Sequence, residues 1–355
     1  MLNNLFRKKH PPLIGLDIGT RFVKAVLLDT DGDQYKLVQF AVEPIAGNAF
    51  SDREIKDFDP VNNALRKVKI ALKSKVKDVA VAVSGSSVIN KIVYMDPDQS
   101  DFELEGQIEI EADSLIPYPL EEVYLDFEEL GESKTHVGKV DVLLSAAHRD
   151  LIDSRITLLR EVQYEPKVMD VETYALGNAL GHFGDVAEEG NTVLVSIGAA
   201  QLQVCVLRGG RVLYSKEHGF GVNSLIQDLS LVHTLEPQET ERQLLNDELP
   251  GSWRENTYPI FLSNLQNNIA RAMQAYISTT HAERPTVIHL CGGGAAIPGI
   301  DKDLESELAV EVKLFNPFEN MKVSDKVAPE LLAQHAPQLA IAAGLASRSF
   351  SPWHI

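Results

Sequence analysis

Between residues 13 and 43, apolar and polar positions alternate on either side of DTDGDQ, the two-residue period of a β-hairpin opening a sheet. The period then lengthens. In DPVNNALRKVKIALKSK (59–75), apolar side chains recur at Val61, Leu65, Val68 and Leu72, one stripe of an amphipathic helix. DVAVAVSG (78–85) follows as a near-continuous run of small apolar residues, which suits a strand covered on both faces. From 88 to 165 the chain turns acidic. It carries an amphipathic helix near 101–115, then strands, then another strand and helix in KVDVLLSAAHRDLIDSRITLLREV. This stretch reads as a small α+β module inserted into a first lobe. EPKVMDVETYALGNALG returns the chain to a strand and helix of that lobe. A second lobe opens with NTVLVSIGAAQLQVCVLRGGRVLYSKE (191–217), again strand, tight turn, strand. Residues 222–250 and 258–282 read as helical. TVIHLCGGGAAIPGI (286–300) reads as a buried strand, a glycine turn and a helix start, and PQLAIAAGLASRSF as a final buried helix.

One pattern occurs twice. Set 179 positions apart, Ile18-Gly19 in GLDIGTRFVKAV falls on Ile197-Gly198 in LVSIGAAQLQV, and Val23, Ala25 and Leu27 fall on Leu202, Val204 and Val206. The first copy has Asp17 where the second has Ser196.

Composition narrows the function class. The 355 residues are 44% hydrophobic and carry a formal net charge of −18, which suits a globular chain of about two domains. That charge argues against nucleic acid as a partner, because phosphate contacts need clustered Lys and Arg, and against broad adhesion to anionic lipid. The one basic cluster, RKKH at 7–10, is short and reads as a solvated tail. The start MLNNLFRKKHPP has no apolar core like that of a signal peptide, and the longest apolar runs fall far short of the ~18 residues of a membrane span. Cys205 and Cys291 lie in apolar, strand-like runs with no CxxC pair and read as reduced core residues of an intracellular protein. The ten histidines form no ligand pair with metal-site spacing, so no metal site of the protein's own is expected.

GLDIGT (15–20) ends a strand and turns sharply, so the amides of Gly19 and Thr20 can donate to a phosphate. Asp17 at the strand end could hold a hydrated divalent cation, and Lys24 on the returning strand could offset phosphate charge. CGGGAAIPG (291–299) places Gly292, Gly293, Gly294 and Ala295 between a buried strand and a helix, which suits backbone passing flat against a ring or sugar. Two related lobes facing a nucleotide follow as the expectation.

GLDIGTRFVKAV, SGSSVINKIVYM, LIPYPLEEVYLDFEEL, VMDVETYALGNAL, GFG, LCGGGAAIPGI, FNPFENM and LAIAAGLASRSF come in the order seen in the PilM family of type IV pilus assembly proteins, which this chain resembles over nearly its whole length. The family is similar to FtsA and lies in the actin/Hsp70/sugar-kinase superfamily. The resemblance implies an α/β, actin-like (FtsA-like) fold of duplicated RNase H-type lobes with an inserted 1C-type α+β subdomain. The implied division is 11–87 with 166–190 and 333–350 (1A), 88–165 (1C), 191–240 with 285–332 (2A), and 241–284 (2B). It also implies ATP with Mg²⁺ as cofactors, with Asp17 reaching the metal through water. The nucleotide would lie against Asp17, Gly19, Thr20, Lys24, Ser196, Gly198, Ala199 and Gly292–Ala295. The implied partner is the N-terminal peptide of PilN, held in a groove between 1A and 1C at Leu115, Ile116, Pro117, Tyr118, Pro119 and Leu120. PilN pairs with PilO, PilP carries the linkage onward, and the family couples this inner-membrane line to the pilus motor. Membrane contact would then come only through the partner, and a homodimer is compatible with all of this.

The chain departs from its superfamily at the second turn, Ser196-Ile197-Gly198-Ala199-Ala200-Gln201, where the acidic residue and the hydroxyls that follow are reduced to one serine. A hydroxyl cannot match a carboxylate's attraction for a divalent ion, and one lost charge-assisted contact weakens binding by roughly 1.5–3 kcal/mol. Binding of ATP with inefficient hydrolysis is the expectation, because phosphoryl transfer relies on metal placement and a positioned water. Glu172 lies near where relatives keep a water-activating residue, but reads here as an exposed acid at a helix start. An adaptor is therefore expected over an active ATPase. A membrane-bound filament protein of the FtsA type is disfavoured by the short end SRSFSPWHI.

Overall fold

The computed structural model describes residues 11–51, 54–133, 136–186 and 190–350. The basic cluster at 7–10 and the end 351–355 lie outside the described residues. The chain divides into two compact units, Met1–Ala82 with Val162–Ile355, and Val83–Glu161.

The alternation of 13–43 becomes three strands, Ile14–Ile18, Phe22–Asp31 and Gln34–Pro44. Ile14–Ile18 also pairs in parallel with Asp78–Val83, and Glu165–Val171 and Lys322–Val323 complete a six-stranded sheet at its two edges. The helix Phe58–Leu72 starts where Asp57 accepts from the Asp59 amide, and it buries Val61, Leu65, Val68 and Leu72. The second sheet repeats the plan. Thr192–Ile197 runs antiparallel to Leu202–Arg208 and parallel to Val287–Cys291, with Arg211–His218 and Glu311–Leu314 at the edges.

Two helices join the sheets. Glu172–Phe183 and Ala340–Ala346 bury Leu176, Leu180 and Ala340 in one cluster with Leu194, Cys205, Leu207 and Cys291 of the second sheet. The approach is close. A Cβ on Gly344 would lie 1.8 Å from the Ala175 carbonyl oxygen, and one on Gly15 would lie 2.0 Å from that of Ala342. The alanine-rich run LAIAAGLA is thus needed as a thin element between a strand and a helix.

The stretch 222–250 holds two helices, Val222–His233 and Pro237–Leu245; a short one, Ser252–Asn256, and the long Tyr258–Thr280 follow. Thr234 takes a left-handed conformation that ends the first, and Pro237 begins the second, where its missing N–H costs nothing. After Val287–Cys291 the chain makes one tight 3₁₀ turn, Gly293–Ala296, and the next helix begins only at Ile300.

The unit Val83–Glu161 has its own core. Val88–Met95, Val140–His148 and Val123–Glu132 form a three-stranded antiparallel sheet with the middle one central. The helix Asp101–Leu115 begins with a capping box between Ser100 and Glu103, and it ends where Pro117 disfavours further helix. It packs Leu104, Ile108 and Ala112 on Val93, Val142 and Leu144 of the sheet. No helix among the described residues is long and apolar enough to cross a membrane.

Candidate functional site

Each sheet ends its central strand in the same turn. The Gly19 amide donates to the Phe22 carbonyl at 3.0 Å, and the Gly198 amide donates to the Gln201 carbonyl at 2.8 Å. The 179-residue offset holds for donor and acceptor alike. The Gly19 amide, expected to donate to a phosphate, closes its own turn instead.

Beside the turns the copies differ by a pair of residues. Strand register sets Asp17 directly opposite Lys24, and Ser196 directly opposite Gln203. Lys24 Nζ lies 2.5 Å from Asp17 Oδ2, an ion pair in which the carboxylate is 3% exposed. In the second copy both charges are gone. Gln203 Nε2 instead donates to Glu172 Oε2 at 2.7 Å. The offset alone maps Lys24 onto Gln203, so sequence held the signal for this second exchange.

Glu172 is the clearest correction. It opens the helix Glu172–Phe183 at 6% exposure and lines the cleft, where an exposed acid was expected. An amphipathic reading misses this because strand Leu202–Arg208 covers the helix start and supplies the donor.

Both turns face one cleft of about 720 Å³. Asp17, Gly19, Thr20, Lys24, Ser196, Gly198, Ala199, Gly292, Gly293, Gly294 and Ala295 all line it. The glycine run has a different basis from the one inferred. Gly292 has φ +86°, and a Cβ there would lie 2.5 Å from the Ile197 carbonyl oxygen; one on Gly294 would lie 2.4 Å from Ile197 Cγ2. Packing against the end of the second central strand accounts for two of the three glycines. Gly293 alone meets open space.

Arg21 and Glu241 also line the cleft. Arg21, just past the first turn, reaches Glu241 on the helix Pro237–Leu245 (Nη2 to Oε2, 2.5 Å) and Asn223 Oδ1 (3.4 Å). Burial raises the Glu241 carboxyl, and the Arg21 charge lowers it in part. No periodicity or motif marks this contact, because its partners are 220 residues apart. Cys291 lies beneath the second turn, paired in register with Ser196, and burial pushes its thiol up to about 12. Among the described residues, no group of three or more His, Cys, Asp or Glu side chains is placed to hold a metal ion.

The segment expected to take a peptide is placed within the inserted unit. Leu115, Pro117 and Pro119 are exposed, and Tyr118 and Leu120 are partly buried against its core. Ile116 is 5% exposed and belongs to that core with Ala112 and Val123, so it does not line a surface groove.

Known structures share this fold. The PilM-PilN type IV pilus biogenesis complex contains a chain matching with a TM-score of 0.82 at 22% identity, over 97% of this chain and 100% of that one. Ethanolamine utilization protein EutJ from Carboxydothermus hydrogenoformans matches at 0.54 and 15%, over 95% and 89%. MreB5 of Spiroplasma citri bound to ADP matches at 0.52 and 12%, over 94% of each. The fold is actin-like. A sequence model described as type IV pilus assembly protein PilM matches residues 15–350, and the chain belongs to that family.

Proposed function

We propose that this protein is a cytoplasmic adaptor at the bacterial inner membrane, binding the N-terminal tail of PilN and linking the PilN/PilO/PilP line to the pilus motor. Support comes from the family, and from a matching chain that was solved in a complex with PilN. The exposed part of Leu115–Leu120 offers apolar and Pro side chains whose backbone is already confined, which lowers the ordering cost of holding an extended peptide. Titration calorimetry with a PilN N-terminal peptide tests this. Leu115→Asp should weaken binding at least tenfold, and unchanged affinity would remove the segment from the site.

The cleft holds ATP in this reading. Its volume suits a nucleotide. Lys24 and Arg21 offer positive charge beside the first turn, and Gly293 lets a ring or sugar approach the backbone. Mg²⁺, when bound, would neutralise phosphate charge, with Asp17 the nearest carboxylate of the two turns. The second turn offers it only the Ser196 hydroxyl, and this neutral turn is the observation that carries slow or absent turnover.

One observation favours the second reading, an active ATPase: Glu172 is in the cleft and held by Gln203. Single-turnover hydrolysis separates the two. A rate at buffer background supports the adaptor. A rate above it, abolished by both Asp17→Ala and Glu172→Gln, establishes the enzyme.

A further inference from the structure

The inserted unit carries most of the chain's charge imbalance. Residues 83–161 contain 18 Asp and Glu against 6 Lys and Arg, a net −12 of the chain's −18. The helix Asp101–Leu115 contains no basic residue. Its inner stripe, Leu104, Ile108 and Ala112, is buried in the unit's core. Its outer face is not wholly polar. Phe102 is 84% exposed and Ile110 is 74% exposed. These two lie eight residues apart with Gly106 midway, so the three form one i, i+4 row along the outside of the helix.

Gly106 is the informative member. A Cβ there would meet nothing within 4 Å. A glycine in a helix interior leaves that helix less stable than an alanine would. Neither crowding nor backbone conformation within this chain calls for a glycine at 106. What the glycine does provide is a notch, between two large exposed apolar side chains, into which another backbone can settle. Glu103, Glu109 and Asp113 border the row.

We propose that this outer face, Phe102-Gly106-Ile110 with its acidic border, docks a basic amphipathic helix of a partner protein. The partner's small apolar ridge would enter the notch at Gly106, and its Lys or Arg side chains would meet Glu103, Glu109 and Asp113. Charge decides the class of occupant. An anionic lipid surface is repelled by the unit's net −12, and a second copy would bring the same acidic face. The site is separate from Leu115–Leu120 and stands whether or not that segment binds a peptide.

The test uses the full chain and a designed helical peptide of about four turns, with one Leu/Ala row flanked by lysines. A control peptide keeps the row and replaces every lysine with glutamate. The lysine peptide should bind with micromolar affinity at about 50 mM salt and lose at least ~tenfold at about 500 mM, as exposed charge pairs are screened. Phe102→Ala/Ile110→Ala should lose at least ~tenfold with an unchanged melting temperature, because both side chains are exposed. Gly106→Leu gives the sharper outcome: the helix becomes more stable while the peptide is lost. Equal binding of both peptides, or of the wild type and Gly106→Leu, overturns the proposal, as does no binding at all. So does a dimer in sedimentation, or binding to phosphatidylserine vesicles, that Gly106→Leu abolishes.

Discussion

At the scale of single residues, the two turns differ by a matched loss of charge: Asp17 and Lys24 in one, Ser196 and Gln203 in the other. Restoring only the acid should therefore fail. Ser196→Asp places a carboxylate opposite a neutral amide and close to a strand end that already holds Glu172. We expect a loss of about 1–3 kcal/mol in urea unfolding, the cost of a buried charge lacking its partner. Ser196→Asp/Gln203→Lys should recover at least half of that loss. If the single variant is as stable as the wild type, the pairing does not govern this position.

Histidine burial sets a pH window. His182, His289 and His335 are all lowered from an ordinary value of 6.5 chiefly by burial, with the Arg348 charge adding to the effect at His182 and Lys313 at His289. The unfolded chain then binds protons that the folded chain does not. Their contribution is fully present above about pH 6.5 and is lost as pH falls below it toward the depressed folded values. Urea midpoints should fall between pH 7.5 and pH 5.5, and His182→Gln/His289→Gln should flatten that slope. An unchanged slope would assign the loss to other groups.

At the scale of elements, the strictest constraint is the thin helix Ala340–Ala346. Gly344→Ala forces a Cβ against the backbone oxygen of Ala175, which no rotamer change can relieve. A loss of about 3 kcal/mol or failure to fold is expected, with denaturant unfolding as the measurement. Gly293→Ala, with open space around it, should stay within about 0.5 kcal/mol of wild type, and under the proposed function it should weaken ATP binding. Ile116→Asp should unfold the inserted unit, so its effect on peptide binding would carry no information about contact.

Elements were also where sequence spoke most plainly. Period-2 alternation found the first hairpin, and the Val61–Leu72 stripe found its helix, because both depend on neighbours within a few residues. The 222–250 stretch reads as helical without a division, although Pro237 within it is a start signal. What stayed hidden was every feature set by distant chain: Glu172 under a strand, Ile116 turned inward, Gly292 and Gly294 against Ile197, and Arg21 against Glu241. All the residues named for a nucleotide do meet in one cleft. Their place in one cleft was legible from the repeated turn and the CGGGAAIPG run, whereas the packing that requires several of them was not.

At the scale of the whole molecule, the cleft is crossed by the contact between Arg21 and Glu241, which ties the first turn to the helix Pro237–Leu245. A ligand leaving between these two residues would first have to part them. The rate at which a ligand leaves, rather than the depth of its binding, is where the contact will be felt. Under the proposed ATP binding, release of a fluorescent ATP analogue should quicken as salt is raised from about 50 to 500 mM, across which the screening length shortens severalfold. Glu241→Gln should remove most of that salt dependence. The cleft would then behave as a door on an electrostatic spring, its dwell time set by the ionic strength around it.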